Sequence, residues 1–571
     1  PLPHILHAYK YTRIRRKCKI KLAPMSGWGG GFMGNPRTMT PAGLASLFIA
    51  DSYTSSSFAL KTQPDKSLLD GLSWVNRHFS PSNENLYEMY GDERVALASG
   101  LKYFGSADWY RAMANVLLNA QHRNGSWSPG FALADQDRFI GTAYALLILA
   151  RGMNPILINK LQYTPQQYGS WNDRPWDAAN FTAWVSRTYE TAMNWQVVNV
   201  EAPARQWANA PLLLITGSQD PHFTAADLVK LEQYIDAGGM VFSSIDADSP
   251  AFTSAMERYA AEIGHGRFQV RKLAATSAIY SMQPWYHLRS PPFLLGVWNG
   301  VRYVWIISPQ DFGAIWQRRS TSATDYWQIP TNIYLYATGK SGLQNRLWVS
   351  SDQSRSEPAV RRVGVAQLQY AGNWNPEPGA WPHLAELARR RIATQVALNA
   401  VSCGRLLQQR PMLTTLTGTG SFEFTSNETS DIRRYLLGGG MLFADAAGGR
   451  GGFAKSFEHL VGELFPKKSL TEVPQTSTLI SGALPGGESL DKAVYRKYVI
   501  SRGDAHKHVK LLGIKADGRW IIVFSAYDVT SGLLGTNTWG IAGYAPPTAQ
   551  GIAQNVLLYC AAHGRHGPRA N

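Results

Sequence analysis

The spacing of apolar positions changes character once along the chain. Up to about residue 150, apolar residues recur three and four apart, the period of a helix with one buried face. This predicts a helix from about Thr40 (TPAGLASLFIADSYT), with Thr40 as N-cap and Pro41 in the first turn. Further helices are predicted at about 65–79, 91–104, 108–121 and 139–150. In 91–104, Val95, Leu97, Ala98 and Leu101 fall on one side. Gly- and Pro-rich turns separate these segments, so the region reads as an array of helical hairpins. From Pro211 the pattern changes. PLLLITGS reads as a buried strand, FTAADLVKLEQYIDAGG as a capped helix ending in a glycine pair, and MVFSSID as a second strand. Strand and helix in alternation imply an α/β domain on a mostly parallel sheet.

That pattern occurs twice. PLLLITGS, Phe223-Thr224, Tyr234, Gly238-Gly239-Met240 and Phe252 are matched by PMLTTLTG, Phe424-Thr425, Tyr435, Gly439-Gly440-Met441 and Phe453. Later, Leu295-Gly296-Val297, Arg302 and Asp311 are matched by Leu512-Gly513-Ile514, Arg519 and Asp528. The 571 residues therefore divide as a basic arm (1–23), a helical domain (24–160), a Trp-rich linker (161–207), a first α/β domain (208–345), a linker (346–360), a second α/β domain (361–563) and a tail (564–571).

Composition removes several function classes. Aromatics reach 12% and no long charge blocks occur, which excludes intrinsic disorder. No apolar run approaches the roughly 18 residues of a spanning helix; the longest is 143–150. Cys18, Cys403 and Cys560 lie too far apart for a zinc spacing or a disulfide framework. His265, His287, His383 and His459 show no ligand spacing, so no metal or other cofactor is expected. The sequence starts at Pro1 without a visible signal peptide, which leaves export open. Net charge is +16, yet only 17% of residues are charged, so the excess reflects scarce acids. Residues 10–21 (KYTRIRRKCKIK) hold seven positive charges and no acid. They read as a solvated arm or as one that docks on an acidic partner or polymer. No nucleic-acid motif appears, and specific nucleic-acid binding is not expected.

Candidate chemistry belongs at the carboxyl ends of the strands, where open α/β sheets bind ligands. After MVF stand Ser243, Ser244 and Asp246; after MLF stand Ala444 and Asp445, then Gly448-Gly449-Arg450-Gly451-Gly452. Ser244 and Asp246 lack a histidine partner, so a working triad is not expected. Arg302 with Asp311, and Arg519 with Asp528, recur in both copies. A turn between antiparallel strands would bring each pair together, either as an ion pair or turn cap, or as a polar-ligand site beside Asp445. Carboxylates paired with Arg stay ionised, which disfavours an acid role. Trp171, Trp176, Trp184, Trp195 and Trp207 read as packing between domains or as a platform for sugar rings.

The segment from Arg111 through Gln121, Gly125 and Trp127 resembles the QW repeat of squalene and hopene cyclases. GTAYALLILARG (141–152) resembles the inner helix that follows such repeats, there and in protein prenyltransferases. The resemblance implies a partial α/α toroid with a structural role for Gln121, Gly125 and Trp127. The cyclase DxDD acid finds only Asp135-Gln136-Asp137-Arg138, and no Cys lies between residues 19 and 402, so neither chemistry is implied. The open arc should be covered by another chain or another copy. YGDERVALASGLKYFGSADWY, NWQVVNVE, YAGNWNPEPGAWPHL, RRYLLGGGMLFAD, ELFP and GIKADGRWIIVFSAYD make the whole layout resemble an uncharacterised bacterial family of planctomycetes and relatives. There, prenyltransferase-like repeats precede one or two copies of a domain of unknown function numbered 4159. That resemblance implies flavodoxin-like α/β domains similar to class I glutamine amidotransferases, without the amidotransferase cysteine, and a periplasmic or envelope location. The expected function is a non-catalytic scaffold or binding protein of an envelope or multisubunit assembly, with protein partners or self-association. A carbohydrate-binding or carbohydrate-processing protein is the alternative.

Overall fold

The computed structural model describes residues 36–53, 66–83, 85–128, 138–152, 154–164, 171–340, 359–449 and 451–563. The basic arm, Asp135 to Asp137, most of the 346–360 linker, Arg450 and the tail lie outside them.

Five helices form the first unit: α1 (Pro36–Tyr53), α2 (Lys66–His78), α3 (Leu86–Ser99), α4 (Trp109–Ala120) and α5 (Arg138–Gly152). Leu44, Leu72, Val95, Met113, Leu117 and Ile148 meet in one core. Two boundaries depart from the pattern. Helix α1 begins at Pro36, so Thr40 is not its cap and Pro41 lies inside it. Helix α3 begins at Leu86, where Asn85 accepts from the amides of Tyr87 and Glu88 while Glu88 reaches back to Asn85. It is central to the unit and buries Glu88, Asp92 and Glu93, so charged residues stand where the helical period leads one to expect a solvent face. Gly100 ends it at φ 72°; a Cβ there would meet the Trp195 ring at 2.5 Å.

Two seven-stranded sheets follow. The first contains β1 (Ile156–Gln162), α6 (Asp177–Thr188), β2 (Asn194–Asn199), β3 (Leu212–Gly217), α7 (Ala225–Asp236) and β4 (Met240–Ile245). It continues with β5 (Gln269–Lys272), β6 (Leu295–Trp298), β7 (Tyr303–Ser308), α8 (Phe312–Arg318) and α9 (Asp325–Thr338). The second repeats the scheme with β8 (Arg361–Gln369), α10 (Ala380–Ile392), β9 (Thr394–Ser402), β10 (Leu413–Gly418), β11 (Met441–Ala446), β12 (Thr471–Glu472), β13 (Leu512–Ala516) and β14 (Arg519–Ser525). The orders are β2-β1-β3-β4-β7-β6-β5 and β9-β8-β10-β11-β14-β13-β12. All neighbours are parallel except β6 and β13, which run against both flanking strands.

The segment 161–207 is therefore not a linker. It carries α6 and β2 of the first sheet, which starts at Ile156. Trp171, Trp176, Trp195 and Trp207 are buried, and half-buried Trp184 packs beside Trp327. Leu101 pairs with Val197 alongside β2, so the helical unit covers the edge of that sheet.

The two α/β domains stack head to tail. The 299–302 turn and the end of α7 lie at the amino end of the first sheet. They sit on the loops that leave the carboxyl end of the second. Val301 packs on Ala447 and Ile541. Asn299 donates to the Pro376 carbonyl at 2.9 Å, Asn373 donates to the Asn299 carbonyl at 2.8 Å, and the Trp539 amide donates to the Tyr336 carbonyl.

Candidate functional site

The residues expected at the strand ends are there, and the two copies use them alike. In the first copy Ser244 donates to the Gln310 carbonyl and accepts from the Phe312 amide. In the second, Asp445 occupies the Ser244 position and accepts from the Val529 and Thr530 amides and the Thr530 hydroxyl. Asp311 accepts from the Ala314 amide at the start of α8 and from the Ala247 amide across the sheet. Asp528 does the same with Ser531 and Gly448, and also takes the Ser531 hydroxyl. Each pair thus pins the loop after one strand to the helix start after another. Burial pushes the carboxyls of Asp445 and Asp528 up, and the groups that donate to them pull back. Ser243 accepts from the Trp305 indole. Every one of these oxygens is committed to the fold.

The expected Arg–Asp pairs do not form. Arg302 stands just before β7 and Arg519 opens β14, while Asp311 and Asp528 follow the far ends of those strands, so each pair is split between opposite ends of a sheet. Arg519 donates to the carbonyls of Gly439 and Gly440. Arg302 donates to Gly239 and Ile235, the first being the counterpart of Gly440, and also bonds Glu377 of the second domain at 2.9 Å. Arg302 and Glu377 are 1% exposed, so this ion pair is a buried joint between the domains. Arg496 is buried nearby; its guanidinium, pulled down by burial, feels the charges of Asp528 and Glu377.

Asp246 is different. It is 1% exposed, neither oxygen has a hydrogen-bond partner, and burial pushes its carboxyl well above the usual range. Around it lie Lys160 bonded to Asp177 at 2.8 Å and Arg174 bonded to Asp311 at 2.8 Å. Lys160 also donates to Asn172. In the second copy these positions read Gln367 for Lys160, Glu377 for Arg174, Ala380 for Asp177 and Ala447 for Asp246. The ionisable cluster belongs to the first copy only. It offers a buried, unbonded carboxyl with no adjacent nucleophile, because Ser244 is bound elsewhere. Among the described residues no three His, Cys, Asp or Glu side chains gather as metal ligands.

A family model described as a domain of unknown function, DUF4159, matches residues 158–338 and 364–560. The chain belongs to the DUF4159 family. The two matches coincide with the two sheets, so each DUF4159 copy is one whole α/β domain and the first starts about fifty residues before Pro211. Comparison with curated proteins finds no match.

The missed start was legible. Leu161-Gln162-Tyr163 and Trp171-Asn172 recur as Leu368-Gln369-Tyr370 and Trp374-Asn375. Tyr163 and Tyr370 even play one role, donating to the carbonyls of Thr216 and Thr417. Arg174 and Glu377 share a position within this stretch but differ in charge, which concealed the residue that joins the two DUF4159 copies.

In the helical unit, Trp127 is buried; its indole donates to the Leu117 carbonyl at 2.7 Å and its backbone amide donates to the Thr142 hydroxyl, tying α4 to α5. Gln121 only closes its own turn onto the Gly125 carbonyl, with Gly125 at φ 83°. Cys403 follows the carboxyl end of the edge strand β9 and Cys560 lies by the Met412 carbonyl before β10; both are buried, and burial pushes both thiols up to about 12. Iodoacetamide should therefore leave both unlabelled in the native protein and label both in denaturant, as peptide mass spectrometry will report. Native labelling of either would contradict that burial.

Proposed function

We propose that the chain is a non-catalytic scaffold or binding protein of a bacterial envelope or multisubunit assembly. The observation that carries this reading is the matched fate of the strand-end residues. Ser244, Asp311, Asp445 and Asp528 are all spent on backbone groups, and the first domain packs on loops that leave the carboxyl end of the second sheet. A site built for turnover needs groups free to meet a substrate. The flavodoxin-like strand order, five parallel strands as 2-1-3-4 and a last, supports the amidotransferase-like ancestry of the DUF4159 domains. Neither copy keeps a cysteine at the strand end where that chemistry would need one. No helix among the described residues is long and apolar enough to cross a membrane, which is compatible with a peripheral place in the envelope. The basic arm would then meet an acidic partner or polymer. A carbohydrate platform at 171–207 loses its support, because the indoles there are buried or packed.

The test combines a native pull-down and mass spectrometry with a hydrolase and transferase screen of the purified chain. A reproducible partner set without turnover supports the reading. Turnover that disappears on Asp246→Asn would overturn it, because Asp246 is the strand-end acid left uncommitted.

A further inference from the structure

We propose that the outer edge of β9 pairs antiparallel with β9 of a second copy of this chain, joining two seven-stranded sheets across a two-fold axis. The inference goes beyond the binding-protein reading and stands without it, because it rests on backbone groups and charge alone.

The two sheets have four edges of two kinds. β5 and β12 are short, four and two residues, and carry charge: Arg271 and Lys272 on one, Glu472 on the other. Such edges resist pairing. β2 and β9 carry no charged residue and no proline. β2 is covered: Val197 donates its amide to the Gly100 carbonyl at 2.7 Å, and Leu101 of the helical unit bridges to it. β9 (TQVALNAVS) is longer, and among the described residues nothing pairs with its outer side. It matches β8 residue for residue from Thr394 to Ser402 without a bulge, so the edge is regular. In a parallel ladder alternate residues turn N–H and C=O outward, so about four residues of β9 offer both groups there. The helical unit that closes the first of these edges is already spent on it.

The strand itself selects a second copy. Paired antiparallel about Leu398, it sets Leu398 against its own counterpart, Val396 against Ala400 and Thr394 against Ser402 on one face. Gln395 meets Val401 and Ala397 meets Asn399 on the other. No like charges oppose one another in that ladder. Half-buried Val396 and Leu398 already lean on the core beneath α10, so the pairing continues this core into the next copy. A foreign strand would only move the open edge outward by one strand, whereas a second copy removes it from both. At the amino end Arg389, Arg390 and Arg391 stand with Glu386 and Glu488, which bond Arg390 and Arg391. At the carboxyl end Glu428 and Asp431 lie beside Cys403, close in sequence to Arg405. Acids thus stand with the basic residues at both ends. The area suffices as well. Nine residues span about 30 Å, and α10 and the helix Cys403–Gln409 flank β9 on opposite faces, a depth of about 20 Å. Such a contact buries about 600 Å² a side, above the roughly 1,000 Å² in total that a specific interface needs.

Sedimentation equilibrium of the full chain should give twice the chain mass. Leu398→Lys, which sets two ammonium groups face to face, and Ala400→Lys should each weaken the dimer about ten-fold or more. Gln269→Lys, the same change on the β5 edge, should leave it intact. Hydrogen exchange of the unaltered chain should show alternate amides of 394–402 protected at high concentration and released on dilution, a readout that holds if a lysine variant fails to fold. A monomer at micromolar concentration, a dimer indifferent to both lysines, or 394–402 amides protected only by another protein would each overturn the proposal.

Discussion

Glu377→Met should destabilise the tandem by about 3–5 kcal/mol, the usual cost of removing one partner from a buried ion pair. It strands the Arg302 guanidinium, 1% exposed, between two domains. Arg302→Met should cost a similar amount, because it strands the carboxylate and also leaves the Ile235 and Gly239 carbonyls without their donor. The double variant should recover most of the electrostatic loss but not the carbonyls, about 1–3 kcal/mol. Arg519→Met, the same substitution at the equivalent position of the second copy, should cost only about 1 kcal/mol, since Arg519 is partly exposed and bonds carbonyls alone. Denaturant unfolding of the four variants checks all of this in one series. If the two single losses simply add in the double variant, the pair is not coupled and the joint is held by its apolar contacts.

The contrast between Arg302 and Arg519 states what duplication did here. One ancestral arginine ties the amino end of each sheet to its own backbone. In the first copy it also reaches out to the second. The acid that receives it, Glu377, stands where the first copy has Arg174, which turns inward to Asp311 instead.

Much of this was legible in the chain. The repeat fixed two domains and aligned Arg302 with Arg519 and Asp311 with Asp528, because loops and strand ends keep their glycine and proline punctuation. Pairing each Arg with its Asp failed for a geometric reason. Nine residues apart along a strand means opposite ends of the sheet, at about 3.3 Å per residue. The first strand of the first copy was missed because ILINKLQ carries a buried lysine, which reads as surface until Asp177 is known to lie against it. The joint lay beyond sequence reasoning altogether, since Arg302 and Glu377 meet only through the stacking of the domains.

Glu93 carries the second large expectation. It sits on the central helix α3, fully buried, with neither oxygen hydrogen-bonded, and burial raises its carboxyl to about 7 against the nearby charges of Arg151 and Arg94. The folded-state value lies above the unfolded one, so the neutral form contributes stability that is complete below about pH 4 and is lost as pH rises through about 7. The loss approaches about 3 kcal/mol, at about 1.4 kcal/mol for each unit separating the two values. Glu93→Gln stays neutral throughout. It should match the native protein near pH 4.5 and exceed it in melting temperature at pH 8.5, with the gap opening between pH 5 and 7.5. Asp236, raised to about 7 mainly by burial, will keep a residual slope of the same sign in both proteins. Parallel melting curves across that range would mean that Glu93 is charged in the folded protein, paired with Arg151 after all, and the helical unit would then owe stability to an ion pair rather than to a neutral acid.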